Sequence, residues 1–294
     1  MIQLNKIFSK RVLSILGVIL SILGIVFIVV RMSMYVGQIN LGRFYLIDWL
    51  QIIILIFIYA FSGLFLALAW HKILLFLKVN TEKKWAIKIY GLSQIAKYIP
   101  GNIFQFVGRQ SRGMTDGVQG KVLLKSTVLE LVLLAFSGSL FVILILPLVG
   151  FNVSLFISFV LFCFVLCFVI ITLRSLFSLP LGVAFIWQII FLLISAMIFV
   201  AVLFIINPSI VFVSNISIFL GVYIIAWLGG LITPGAPGGI GIREIVLLFF
   251  LKSLVPEVDL LLAILLSRVV TVVGDFTYFL IAMFIKYDKK YKVD

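Results

Sequence analysis

The chain has 294 residues, 64% of them hydrophobic and only 11% charged, with a mean hydropathy of +1.35. That balance excludes a separate soluble domain; recurrent apolar runs, each long enough to cross a hydrocarbon core of about 30 Å, predict an all-α, polytopic helical membrane protein with residues 1–294 as a single integral membrane domain. The net charge of +13 does not point to nucleic acid, because the basic residues sit in short loops between apolar runs, where the positive-inside rule accounts for them.

Lys6, Lys10 and Arg11 precede an apolar run over 12–30 that Arg31 closes. The run is too long for a signal peptide and no small-x-small cleavage site follows, so it reads as an uncleaved first helix. Further helices are expected over 50–71, 122–147, 151–173, 181–206, 210–230 and 260–285. With the broken segments they make about seven to eight transmembrane helices, one or two of the broken segments being re-entrant.

The first broken segment spans about 89–108 and contains Lys97-Tyr98-Ile99-Pro100-Gly101-Asn102, with Arg109 just beyond it. Lys78, Lys83, Lys84 and Lys88 flank it on one side, and Arg109, Arg112, Lys121 and Lys125 on the other. Basic loops on both sides predict a hairpin that enters and leaves by the same face, with Pro100-Gly101 near its tip. The second spans 231–252 and contains Thr233-Pro234-Gly235-Ala236-Pro237-Gly238-Gly239-Ile240-Gly241-Ile242-Arg243-Glu244. Proline removes a backbone donor and glycine allows unusual dihedrals and close backbone approach. Interrupted helices are tolerated at membrane depth only where they are buried in protein or line a polar cavity, and a pair in the two halves of a chain is a sequence pointer to a transport site, the alternative being kinks in packed helices. Gly238, Gly239 and Gly241 ahead of a short helix leave free N–H groups at a positive helix end, which attracts anions. The basic residues place the N-terminus, 72–125, Arg174 and the tail in the cytoplasm, and 31–49, 148–152 and 207–209 outside. If 210–230 descends to the cytoplasm, 231–252 must cross back; otherwise it forms a second re-entrant hairpin. The sequence accommodates both arrangements.

Glu130, Arg243, Glu244, Arg268 and Asp275 are ionisable residues inside apolar segments, where charge is costly unless paired or hydrated, so they are candidate site residues. Arg268 and Asp275 share a helical face about 10 Å apart, so each needs a partner on another element. Glu130 or Glu244 is the candidate for Arg268, and Arg109, Arg112 or Arg243 for Asp275. Gln94, Lys97, Asn102 and Gln105 surround the first break. His71 is expected at the membrane interface beside Lys72. Cys163 and Cys167 lie four apart on one helical face and read as packing residues. No metal-ligand spacing, Ser-His-Asp arrangement or nucleotide loop is present, so no cofactor is expected.

The Lys-Tyr-Ile-Pro-Gly-Asn run at 97–102 and the Thr-Pro-Gly to Gly-Gly-Ile-Gly-Ile-Arg-Glu run at 233–244 resemble the signatures of the lysylphosphatidylglycerol synthase transmembrane (flippase-like) family, also called UPF0104. Ala236-Pro237 departs from its plainer Pro-Gly-Gly form. The resemblance implies a bacterial or archaeal inner-membrane protein. In fused members this domain moves aminoacylated phosphatidylglycerol between leaflets, while a soluble domain makes it. This chain carries no such domain before Asp294, so the expectation is a non-enzyme. Its expected partners are membrane lipids, either anionic phospholipid or a lipid-linked sugar, together with envelope-biosynthesis enzymes. The glycine-rich turn and Arg243 would hold a phosphate headgroup. Lys97, Arg109 and Arg112 would line the cytoplasmic mouth, and Glu130, Glu244 and Asp275 would pair with the arginines or bind a cationic headgroup. The alternatives are a membrane-embedded transferase on a lipid-linked substrate, and a non-transporting subunit of an envelope-synthesis complex.

Overall fold

The computed structural model describes residues 44–98, 103–150, 152–209, 212–233, 239 and 241–287. The expected first helix at 12–30, and Pro100, Gly101, Asn102, Pro234, Gly235, Pro237 and Gly238, lie outside the described residues. The described elements are helical: α1 (Leu46–Phe76), α2 (Lys83–Gln94) with a 3-10 turn (Ile95–Tyr98), α3 (Phe104–Thr115), α4 (Gly120–Ser139) continued by Leu140–Ile145, α5 (Leu155–Thr172) with a π turn (Leu173–Phe177), α6 (Leu179–Ile206), α7 (Phe212–Ile232), α8 (Ile242–Leu251) and α9 (Glu257–Phe284). Among the described residues, six helices are long and apolar enough to cross a membrane: α1, α4, α5, α6, α7 and α9.

α2 and α3 form the first hairpin. Trp85 at the start of α2 donates its indole N–H to Asp116 just after α3, at 2.9 Å, so the two open ends meet. Lys83, Lys84, Arg112 and Lys121 gather at this end, which is therefore the basic face. The other ends reach Asp275, about two thirds of the way along α9. The hairpin is thus re-entrant, as the flanking charges predict.

α7 and α8 form a second hairpin, and it comes from the opposite face. α7 at its middle passes the end of the α4 continuation, where Gly221 packs on Leu144 and Ile145. It stops near the middle of its neighbours: Trp227 meets Phe191, midway along α6, and Leu231 shares a cavity with Leu131 and Leu134, midway along α4. α8 then runs back, and Phe249, Phe250 and Ser253 lie beside Leu148–Gly150 on the far face. From there α9 descends the full depth; Asp259 near its start accepts from Asn207 after α6 at 2.7 Å, and Lys88 at the base of α2 donates to the carbonyl of Ile285 after its end, also at 2.7 Å. The expected descent of 210–230 to the cytoplasm is therefore corrected. The ten residues of α8 rise only about 15 Å, half a membrane, so α7–α8 is the second re-entrant hairpin.

The two halves share one architecture in opposite orientations. α1, hairpin α2–α3 and α4 match α6, hairpin α7–α8 and α9. α1 and α6 pack antiparallel along the centre. The first limb of each hairpin packs on the last helix of the other half, α2 on α9 and α7 on α4. α5 connects the halves; only 11% of its span is buried, and Phe156, Phe159, Phe164 and Phe168 face outward while Phe162 packs on Phe141. The far-face ends carry Asp48, Glu257 and Asp259 against Lys252, while Lys78, Lys83, Lys84, Lys88, Arg112, Lys121, Lys125 and Arg174 are at the basic face.

Candidate functional site

Both hairpins deliver their broken ends to the protein centre, and the ionisable residues of the apolar segments gather there. Three carboxylates and four cations make up the cluster. Glu130 (2% exposed) on α4 receives Arg109 of α3 through two bonds, 3.1 and 2.6 Å, and the Tyr90 hydroxyl at 2.9 Å. The Arg109 guanidinium is enclosed by the rings of Trp70 and Tyr90, 4.9 and 4.6 Å from their centroids. A delocalised, weakly hydrated cation between aromatic faces needs less water than an ammonium would, which suits arginine to this depth. Gln188 of α6 donates to the Glu130 carbonyl at 3.2 Å and ties α4 to the central pair of helices.

Asp275 on α9 is held wholly by the end of the first hairpin. Lys97 pairs with it at 2.5 Å, Tyr98 donates to it at 2.5 Å and Gln94 at 3.2 Å. Residues 94, 97 and 98 share a helical face, which α2 and its 3-10 turn present to α9.

Arg268, about 10 Å along α9 from Asp275, is held by the second hairpin. Its Nε donates to Glu244 at 2.7 Å and its Nη2 to the carbonyl of Gly239 at 3.0 Å. The other Glu244 oxygen accepts the N–H of Gly241 at 2.6 Å, satisfying one of the free donors that open α8. Gly239 (φ 74°) and Gly241 (φ 93°) adopt left-handed backbone that other residues rarely adopt. Gly230 on α7 packs against Gly239 so closely that a Cβ on Gly230 would lie 2.8 Å from the Gly239 Cα. Glycine is needed here for close approach as well as for dihedral freedom.

Arg243, in the first turn of α8, differs from the other cations. Among the described residues it has no carboxylate in salt-bridge contact; its guanidinium lies over the Trp227 ring, 5.4 Å from the centroid, and its Nε, like that of Arg109, has no hydrogen-bond partner. It lines a cavity of about 50 Å³ together with Gln94, Lys97, Gln105, Glu130 and Trp227.

Several expectations change. Lys97 and Arg109 do not line a mouth; both are taken by carboxylates inside the protein. Arg112 is exposed at the basic face and away from the cluster. Asp275 pairs with a lysine rather than an arginine, whereas Arg268 takes Glu244, one of its two expected partners. His71 is not interfacial: it is 3% exposed, and its Nε2 bonds the Thr81 carbonyl at 2.8 Å. Tyr90, Tyr98, Trp70 and Trp227 belong to the site and were not singled out from sequence. Their signal would have been helical spacing from named residues: Tyr90 lies four before Gln94, and Trp227 lies just ahead of the second break. Among the described residues no group of three or more potential metal ligands occurs. No protein-family model matches this chain, and no curated protein matches it either. The two hairpins with their charged centre are thus the features on which a functional reading rests.

Proposed function

We propose that this protein binds the headgroup of a membrane lipid at mid-depth and carries it between leaflets. The observation behind this reading is the meeting of two re-entrant hairpins, entering from opposite faces, at a charged cavity. Interrupted helices in inverted halves, with binding groups at their broken ends, suit alternating access around a fixed site. A headgroup needs polar lining only along its own path, while its acyl chains remain in lipid. The hairpins provide that division, with polar groups at the inner ends and apolar faces outside. The reading extends the resemblance to the flippase-like family, with the protein in a cell inner membrane and its basic face towards the cytoplasm. The sequence carries no nucleotide loop, so the driving force would be an ion gradient or the lipid gradient itself.

The test is translocation in reconstituted vesicles, with fluorescent lipids of several headgroups and a membrane-impermeant quencher. The native protein should move at least one lipid faster than empty vesicles do. Asp275→Asn, checked for folding by size exclusion and thermal unfolding, should lose at least tenfold in rate. No translocation of anionic, zwitterionic, aminoacylated or glycosylated lipid would overturn the reading.

A further inference from the structure

We infer that the headgroup is a small anionic phosphate ester without a cationic amine, and that Arg243 is its counter-charge. This rests on the lipid-binding reading of the same site.

Each of the three central carboxylates already has its own cation: Glu130 with Arg109 at 2.6 Å, Glu244 with Arg268 at 2.7 Å and Asp275 with Lys97 at 2.5 Å. Each also accepts at least one further hydrogen bond, from Tyr90, from the Gly241 N–H, and from Tyr98 and Gln94 respectively. A cationic amine entering the centre would find no free carboxylate and would have to displace a paired cation. Breaking a buried pair by removing one partner is strongly unfavourable. Arg243 is the reverse case. Among the described residues it has no carboxylate in salt-bridge contact, and its Nε is unbonded. An unbalanced guanidinium at mid-membrane favours an arriving anion, and its fork of donors fits two oxygens of a phosphate. The start of α8, with its positive end, lies at the same place.

The cavity that Arg243 lines, about 50 Å³, has space for a few water-sized groups. It has room for a phosphate group. Gln94 and Gln105 line it with neutral amides, Lys97 and Glu130 line it already paired with Asp275 and Arg109, and Trp227 holds the Arg243 guanidinium plane from one side.

The same chemistry is offered by a lipid phosphate and by a free one, so the test separates them. Fluorescent phosphatidylglycerol is bound to the purified protein in neutral detergent and followed by polarisation. Competitors are short-chain phosphatidic acid, phosphatidylglycerol, aminoacylated phosphatidylglycerol, phosphatidylethanolamine and phosphatidylcholine, with glycerol 3-phosphate and inorganic phosphate as soluble arms. The two anionic lipids should compete at least tenfold better than the amine-bearing and zwitterionic ones, and the soluble phosphates should compete weakly. Arg243→Gln should weaken probe binding at least tenfold, and Arg243→Lys less. Equal or better competition by aminoacylated phosphatidylglycerol would overturn the inference and leave the lipid-binding reading standing. So would a folded Arg243→Gln that binds the probe as the native protein does. Competition by glycerol 3-phosphate equal to that of the lipids would keep the phosphate chemistry and remove the lipid. Failure of any probe to bind would overturn both. The native competition series decides the matter even if Arg243→Gln does not fold.

Discussion

Arg268 and Asp275 lie seven residues apart on α9, and each is gripped by a different hairpin: Arg268 by Glu244 and Gly239 of the second, Asp275 by Lys97, Tyr98 and Gln94 of the first. α9 thus joins two elements that enter from opposite faces. A displacement of α9 along its axis would alter both grips together.

The Arg109–Glu130 pair should behave as a buried pair whose halves are costly alone. Arg109→Leu leaves Glu130 uncompensated and should cost about 3–5 kcal/mol, with the double variant Arg109→Leu/Glu130→Leu recovering most of it. Thermal unfolding in detergent measures both; a single variant as stable as the native protein would show that the pair does not hold α3 to α4.

The glycine contact between the limbs of the second hairpin gives a graded series. Gly230→Ala places a Cβ 2.8 Å from the Gly239 Cα, and Gly239→Ala adds a φ of 74° to a similar clash, so both should lower stability, by about 1–3 kcal/mol, the second more. Gly108→Ala, whose nearest neighbour would be 3.9 Å away, should leave stability unchanged or raise it. Equal effects at all three positions would argue against close packing at the tip.

Cysteine labelling can check the depth of α7. In a Cys163→Ser/Cys167→Ser background, Lys84→Cys and Lys121→Cys should react with an impermeant reagent from one side, and Ser253→Cys from the other. Ile232→Cys, at the end of α7, should react from neither. Labelling of Ile232→Cys from the side that labels Lys84→Cys would make α7 a complete crossing.

Tyr287, beyond the end of α9, donates to Asp116 at 2.8 Å. Burial first, then the bond to Asp116 and its charge, push the phenol up to about 12 from its usual 10. A raised pKa means that the neutral phenol is favoured in the fold. Its contribution is complete below pH 10 and is lost as pH rises through about 12. Trp85, which shares Asp116, reports the change. A fluorescence step between these pH values should disappear in Tyr287→Phe; a step that persists unchanged would assign it elsewhere.

Much of this arrangement was legible in the sequence because long apolar runs and Pro-Gly breaks have few structural solutions. Basic residues on both sides of 89–108 were enough to specify a hairpin. The second hairpin was harder, because α7 is as long and apolar as a crossing helix, and only its contacts with α4 and α6 reveal where it stops. The ionisable residues were visible as costly exceptions, but their pairing was not. Arg109 and Glu130 are 21 residues apart, and Lys97 and Asp275 lie in opposite halves, so which cation meets which carboxylate is set by how the hairpins dock. His71 misled because α1 extends to Phe76, five residues beyond it, which carries it inside.

An architecture that reads the same either way up does not, by its backbone, specify which way it enters a membrane. Each half could be inserted in the other's orientation with its helices equally well accommodated. The lysines and arginines clustered at the base of the first hairpin, absent in such numbers from the base of the second, are what break that tie. Handedness with respect to the cell is thus encoded in a small set of surface side chains that contribute little to the packing. Transferring those charges to the far-face loops would turn the molecule over while leaving its interior intact.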